Sequence, residues 1–318
     1  MDEVKNSSRN TKNVIVLSIC QALFNSGRTL TFIAASLVSI TMLGDNLTFV
    51  TAPITMMLVG TAASTLPSAL IMRQLGRKWG FVIGALVGTI GSGVAAHAVA
   101  IDSFMLFNLG LFLFGLYGGT AQQYRFAAAD AAPEHIKAKS VSIVISMGVV
   151  GAFVGPETTL MTKNLLSTIP FEGTFWALGV FCFAAAVIVL GIDIPNLTEE
   201  ESQESGRPLS EIVVIPTFIV ALVAALFGYA VMNLLMTATP VTMRVDVFAD
   251  NNIARVIQWH VVGMFAPGFF TGHLIRKFGV VRIIVIGSAL LLGSVMVALH
   301  GNNFINFFAA LFFLGVGW

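Results

Sequence analysis

Three short polar series interrupt the apolar runs of this 318-residue chain, and each recurs at helical spacing. Ser18, Gln21, Asn25, Arg28 and Phe32 fall at i, i+3, i+7, i+10 and i+14, so they share one face of a helix. Gly118, Gln122 and Arg125 follow at i, i+4 and i+7, and Tyr229, Asn233 and Thr237 at i, i+4 and i+8. Amides, guanidinium groups and a phenol donate and accept hydrogen bonds and carry positive charge. That chemistry suits holding a polar, anionic or aromatic organic solute; the same stripes could equally bond helix to helix without a ligand. It is not bond-making chemistry. No Ser–His–carboxylate set, His pair or P-loop is present, so neither catalysis nor ATP-driven work is expected. The five histidines lack metal-ligand spacing, and no metal or cofactor is expected. Cys20 and Cys182 sit inside apolar runs and read as small buried hydrophobes. Glu157, directly after Pro156, is the candidate coupling group, able to carry a proton or to pair with Arg28.

The elements that must position these groups are membrane spans. Hydrophobic residues make up 56% of the chain and charged ones 10%, against roughly 25% charged in soluble domains. Mean hydropathy is +0.88. Too little charge is available to coat a water-facing surface, and a net charge of +1 offers no nucleic-acid footprint. A spanning helix needs ~20 mostly apolar residues. Such runs cover Val14–Thr41, Phe49–Met72, Trp79–Ala100, Phe104–Arg125, Val141–Thr162, Thr174–Ile192, Ile212–Pro240, Ala254–Ile275 and Val280–Leu299, with a tenth opening near Asn303. The first run is too long for a signal peptide. Period-two alternation is missing, which excludes a β-barrel. The expected fold is therefore an all-α polytopic membrane protein, a monomer whose partners are the lipid bilayer and a small-molecule solute. Trp259 and His260 are expected at the outer end of the eighth span, where aromatic belts form.

Lys and Arg orient the chain. With the N-terminus in the cytoplasm, inner segments hold Lys5, Arg9, Lys12, Arg73, Arg77, Lys78, Arg125, Lys137, Lys139, Arg207, Arg276, Lys277 and Arg282. The outer loops hold Lys163, Arg244 and Arg255, an asymmetry of 13 to 3 with Arg28 left inside a span. The polar, acidic stretch from Asp193 to Glu211 reads as a cytoplasmic linker. It divides residues 1–192, an N-terminal six-helix bundle, from residues 212–318, an incomplete C-terminal bundle.

The halves repeat each other. Ala69-x-Ile71-x-Arg73-Gln74-x-Gly76 corresponds to Gly272-x-Leu274-x-Arg276-Lys277-x-Gly279 at an offset of 203 positions, which also brings Gly84 to Gly287 and His97 to His300. With a slip to 200, Leu111-Phe112-Leu113-Phe114-Gly115 meets Leu311-Phe312-Phe313-Leu314-Gly315. Six spans separate matched elements, so these are same-direction repeats of six helices. Completing the second repeat takes two further spans beyond Trp318.

A short basic, Gly-containing loop between spans two and three, echoed between eight and nine, resembles the major facilitator superfamily. Gly76, Arg77 and Lys78 match that family's loop, as do Gly272, Leu274, Lys277 and Gly279; Arg73 and Arg276 stand where the family has Asp. In span five, Gly151-x-x-x-Gly155-Pro156 is similar to the family's Gly-Pro motif. Gln123 to Asp130 and His260 to Pro267 resemble a bacterial branch of the superfamily near riboflavin carriers. The resemblance implies two parallel six-helix repeats, the second truncated, in a bacterial inner membrane. It further implies secondary transport of a small organic solute by alternating access, ion-coupled or facilitative; the alternative is a receptor built on the same fold. The solute would be a vitamin such as riboflavin, or a drug or metabolite for efflux. Spans one, four, seven and ten would line a cavity containing Gln21, Asn25, Arg28, Gln122, Arg125, Tyr229 and Asn233, with Tyr124 among its aromatics, while spans three, six and nine face lipid. A cysteine introduced at Asn46 is predicted to react with an impermeant thiol reagent from outside intact cells while one at Ser205 does not; the opposite pattern would reverse the orientation.

Overall fold

The computed structural model describes residues 2–44, 46–133, 136–166, 169–194 and 208–318. Most of the expected linker, including Glu199, Glu200, Glu201, Ser205 and Arg207, lies outside the described residues. The described chain is helical, as the unbroken apolar periodicity requires: a lipid core offers backbone groups no other partner. In order the helices are α1 Asp2–Leu43, α2 Ala52–Ala100, α3 Phe104–Ala121, α4 Tyr124–Asp130, α5 Lys137–Ser146, α6 Gly148–Thr162 and α7 Glu172–Val189. They continue as α8 Leu209–Ile212, α9 Pro216–Val245, α10 Asp250–Phe265, α11 Gly268–Phe278, α12 Val280–Leu299 and α13 Phe304–Gly317.

Seven segments among the described residues are long and apolar enough to cross a bilayer, where the sequence suggested ten separate spans. Local causes account for the difference. The second and third expected spans run together as α2, interrupted only at Gly76, whose φ of 82° and ψ of 160° are not helical. The eighth divides at Ala266-Pro267 into α10 and α11, of 16 and 11 residues. The tenth, α13, has 14 residues. The fourth and fifth also break, at Gln122-Gln123 and at Met147.

Glycine sets how closely the helices pack. A Cβ on Gly60 would lie 2.3 Å from the Phe112 carbonyl oxygen, and one on Gly115 would lie 2.1 Å from that of Met57. Only hydrogen fits there, so the first part of α2 and α3 touch backbone to backbone. The second half repeats the crossing: a Cβ on Gly263 would meet the Phe312 carbonyl at 3.0 Å, and one on Gly315 that of His260 at 2.2 Å. Gly279 has φ 84° and ψ 155°, nearly the angles of Gly76. Both pairs lie at the repeat's offsets, so the two halves share backbone geometry as well as letters.

In the first half α1 packs on α6 and α7, and α2 on α3 and α7. Trp176, Val180, Phe183 and Val187 form an exposed stripe along α7, the kind of surface lipid covers. Helices α9 and α12 are largely exposed and apolar. Between halves, α10 packs on α6, α9 on α1, and α11 on α5. Trp259 and His260 do not open their span, because α10 begins at Asp250 and carries His260 about 15 Å further along its axis. His260 is fully buried, its Nδ1 2.8 Å from the Leu311 carbonyl. The basic loop does have an acidic partner: Arg77 pairs with Asp130 at the end of α4, so another element supplies what Arg73 does not.

Replacing Gly60 by Leu forces backbone apart and should cost about 1–3 kcal/mol, seen as a lowered melting temperature of the purified protein. Gly293 has nothing within 4 Å of a Cβ, so Gly293→Leu should melt like the parent. Equal melting of both variants would contradict the close crossing.

Candidate solute cavity

Helix α1 holds the central polar stripe because α6 fixes it in place. A Cβ on Gly151 would lie 2.7 Å from Asn25, and one on Gly155 2.7 Å from the Ser26 carbonyl oxygen and 2.9 Å from Thr29. The Gly-x-x-x-Gly pair is thus a flat seat for the turn that carries Arg28. Pro156, buried beside it, lacks an N–H and relaxes the helix at that level. Ser26 and Thr31 return their hydroxyl hydrogens to Ala22 and Gly27 carbonyls at 2.7 and 2.8 Å. They therefore spend no bonding capacity outside α1.

A cavity of about 470 Å³ opens between α1, α2, α3 and α9. Arg28, Gln122, Arg125, Tyr229 and Asn233 line it, together with Phe24, Thr61, Thr65, Phe114 and Gly118. Arg28 reaches over the Phe32 ring at 5.7 Å. Among the described residues no carboxylate lies within ion-pair distance of it. Gln122 and Arg125 stand at the break between α3 and α4 and are exposed, which opens that end of the cavity to solvent. Neighbouring Gln123 turns the other way and donates to the Ser68 hydroxyl at 2.8 Å. Asn233 donates from Nδ2 to the Tyr229 carbonyl at 2.8 Å, while its buried Oδ1 has no partner among the described residues. The Thr61 hydroxyl lies 2.9 and 3.1 Å from the carbonyls of Met57 and Gly115. Tyr229 meets Trp318 edge-on at 5.4 Å.

At the opposite end the halves are tied together. Asp250, in the first turn of α10, accepts from Lys163 at 2.8 Å and from Arg244 at 2.9 Å. Lys163 ends α6 and Arg244 lies in the last turn of α9, so one carboxylate bridges both halves.

Five of the seven sequence-derived cavity residues come together. Gln21 is half-buried on α1 outside the cavity lining. Asn25 instead joins Arg28 at a second, smaller cavity. Tyr124 is fully buried, 4.6 Å from the Phe81 ring with its hydroxyl 3.1 Å from that of Tyr117, and belongs to the core. Glu157 does not approach Arg28: two residues past Gly155, which faces α1, it points about 200° round the helix and is exposed. Gly76, Arg77 and Lys78 stand at the interruption within α2, Gly272, Arg276 and Lys277 lie on α11, and Gly279 joins α11 to α12. Thr61 and Thr65, one turn apart in an apolar run, were a legible polar pair that the sequence reading passed over. Phe24 and Phe114 give no such signal in so Phe-rich a chain.

A cysteine at Gln122 should react with a water-soluble maleimide at least about tenfold faster than one at Tyr124, since access limits thiol reactivity. Similar rates would contradict these two placements.

The profile of the Major Facilitator Superfamily matches residues 17–318. The riboflavin transporter RfnT of Brucella anthropi is 37% identical over 309 residues, covering 96% of this chain and 77% of that protein. The MFS-type transporter YdeG of Bacillus subtilis is 27% identical, over 99% of this chain and 76% of that one. Among solved structures, a D-xylose-proton symporter superposes with a TM-score of 0.69 at 12% identity, over 97% of this chain and 80% of its own. The Escherichia coli fucose:proton symporter FucP superposes at 0.66 and 16%, over 97% and 82%. At such identities the superpositions speak to the fold. Periodicity, repeat geometry, profile and relatives agree: this chain belongs to the major facilitator superfamily of membrane transporters.

Proposed function

We propose that this chain is a secondary transporter that carries riboflavin or a closely related flavin across the bacterial inner membrane by alternating access. One observation carries the reading: a solvent-connected cavity between the halves joins guanidinium and amide groups to aromatic side chains within an apolar bundle. Its volume, about 470 Å³, lies in the ordinary range for small-molecule sites. A flavin presents a flat ring system bordered by carbonyls and a polyhydroxyl chain. Phe24, Phe114 and Tyr229 offer surfaces for the ring; Arg28, Gln122, Arg125 and Asn233 offer hydrogen bonds to its polar edge and chain. The similarity to RfnT over nearly the whole chain supports that choice over a sugar.

With the N-terminus in the cytoplasm, the open end at Arg125 faces inward and the Asp250 bridge closes the outer end. Transport then consists of breaking that bridge while the inner end closes. Because α6 turns Glu157 away from Arg28, coupling through this carboxylate would run apart from the solute cavity.

Purified protein in proteoliposomes should take up labelled riboflavin, with unlabelled riboflavin but not galactose or xylose competing. Arg28→Gln should weaken apparent affinity about 10- to 150-fold, as loss of ~1.5–3 kcal/mol of charged hydrogen bonding implies, with Arg28→Lys in between because it loses the planar fork. Glu157→Gln should leave exchange intact and abolish accumulation if Glu157 couples. Riboflavin binding without flux would mark a receptor, and absence of both would refute the flavin assignment.

A further inference from the structure

We propose that Arg244 is a positioning residue that works against the closure it is bonded into: it keeps Asp250 within the second half and favours release of Lys163. That role presupposes alternation between the two openings. The two cations on Asp250 are not equivalent. Lys163 ends α6, and its Nζ reaches Oδ2 from the other half at 2.8 Å. Arg244 lies 2.9 Å from Oδ1 and belongs to α9, six residues before Asp250 in the same half.

The turn between Arg244 and Asp250 holds them together however the halves stand. The Val247 N–H donates to the Arg244 carbonyl at 3.1 Å, and that of Phe248 to Met243 at 2.9 Å. These two bonds close the end of α9 in a Schellman motif. Val247 takes its left-handed position, with φ 63°, and is 88% exposed. Backbone bonds, and not packing of its side chain, thus hold a conformation that β-branched residues avoid. Phe248 pins the turn to the second half, its ring edge-on to Phe307 of α13 at 5.8 Å. Asp250 sits in the first turn of α10, where a helix N-terminus favours a carboxylate.

Rocking apart therefore breaks only the Lys163 contact. The attraction between Arg244 and Asp250 is present before and after, and cancels. Two effects remain, and both oppose closure. Lys163 and Arg244 are like charges gathered on the two oxygens of one carboxylate, a repulsion that vanishes when they part. The released carboxylate can then offer both oxygens to the guanidinium fork. Arg244 thus supplies Asp250 with a full partner as Lys163 leaves.

Ile253, three residues past Asp250 on the same face of α10, is fully buried here. In Ile253→Cys protein, maleimide labelling of this site in nanodiscs without solute follows the fraction of time the end stands open, even when that fraction is small. Adding Lys163→Gln should speed labelling about two- to fivefold, the range for partly exposed pairs. Arg244→Gln should slow it by a similar factor, although it too removes one cation from the same carboxylate. Arg244→Lys should bring the rate back toward the parent's, and Arg244→Gln should slow nothing once Lys163 is Gln. A merely structural Arg244 cannot give slowing, because loosening the fold only exposes Ile253. Arg244→Gln labelling at or above the parent's rate while Lys163→Gln labels faster would overturn the proposal and leave alternation standing. Parent-like labelling of both Lys163→Gln and Asp250→Asn would refute closure by this bridge, and the role of Arg244 with it.

Discussion

A guanidinium group in the middle of an apolar bundle has to be answered by something, and Arg28 is the group around which this structure is arranged. Hydrocarbon supplies neither counter-charge nor hydrogen bonds. Most polar side chains avoid the difficulty locally: Ser26, Thr31, Ser36 and Ser39 all bond back to the carbonyl four residues earlier. Arg28 is too long and too charged for that solution. Its partners must come from the space between the halves, and that space holds both cavities.

The scaffold keeps that space while packing tightly elsewhere. Gly151 and Gly155 let α6 press against α1 on the side away from the large cavity, and Gly60 and Gly115 do the same for α2 and α3. Backbone contact at these crossings leaves the helices little freedom to shift individually, so movement falls to the halves as units. The two ends of their interface differ. Near Arg125 it is open, whereas at Asp250 one carboxylate holds cations from both sides. An interface closed at one end by an ion pair and open at the other is suited to rocking, because partly exposed ion pairs are easily exchanged for water.

Much of this was legible in the sequence because periodicity and composition report directly on environment. Apolar runs gave the helices, and the recurrence of Gly76 at Gly279 gave the repeat, later matched by their shared backbone angles. Cavity residues on α1, α4 and α9 were visible as polar stripes. What periodicity cannot give is how one helix is turned toward another. Tyr124 lies one residue from Arg125 yet packs in the core, because neighbouring helical positions differ by 100°. Glu157 is a possible partner of Arg28 by residue type, but its rotation on α6 takes it away. Asp130 as the partner of Arg77, 53 residues distant, depends on how α4 returns to the end of α2, which no local pattern encodes.

Alternation between the two openings is tested most directly by spin-label distances measured across both ends of the interface in lipid. Labels at Thr48 and Val247 report the end closed by Asp250, and labels at Leu75 and Phe278 report the open end. Without solute the first pair should be close and the second wide. On adding saturating riboflavin, a population should appear in which the first distance lengthens as the second shortens. Two distances that stay fixed, or that lengthen together, would contradict a transporter that rocks around Arg28.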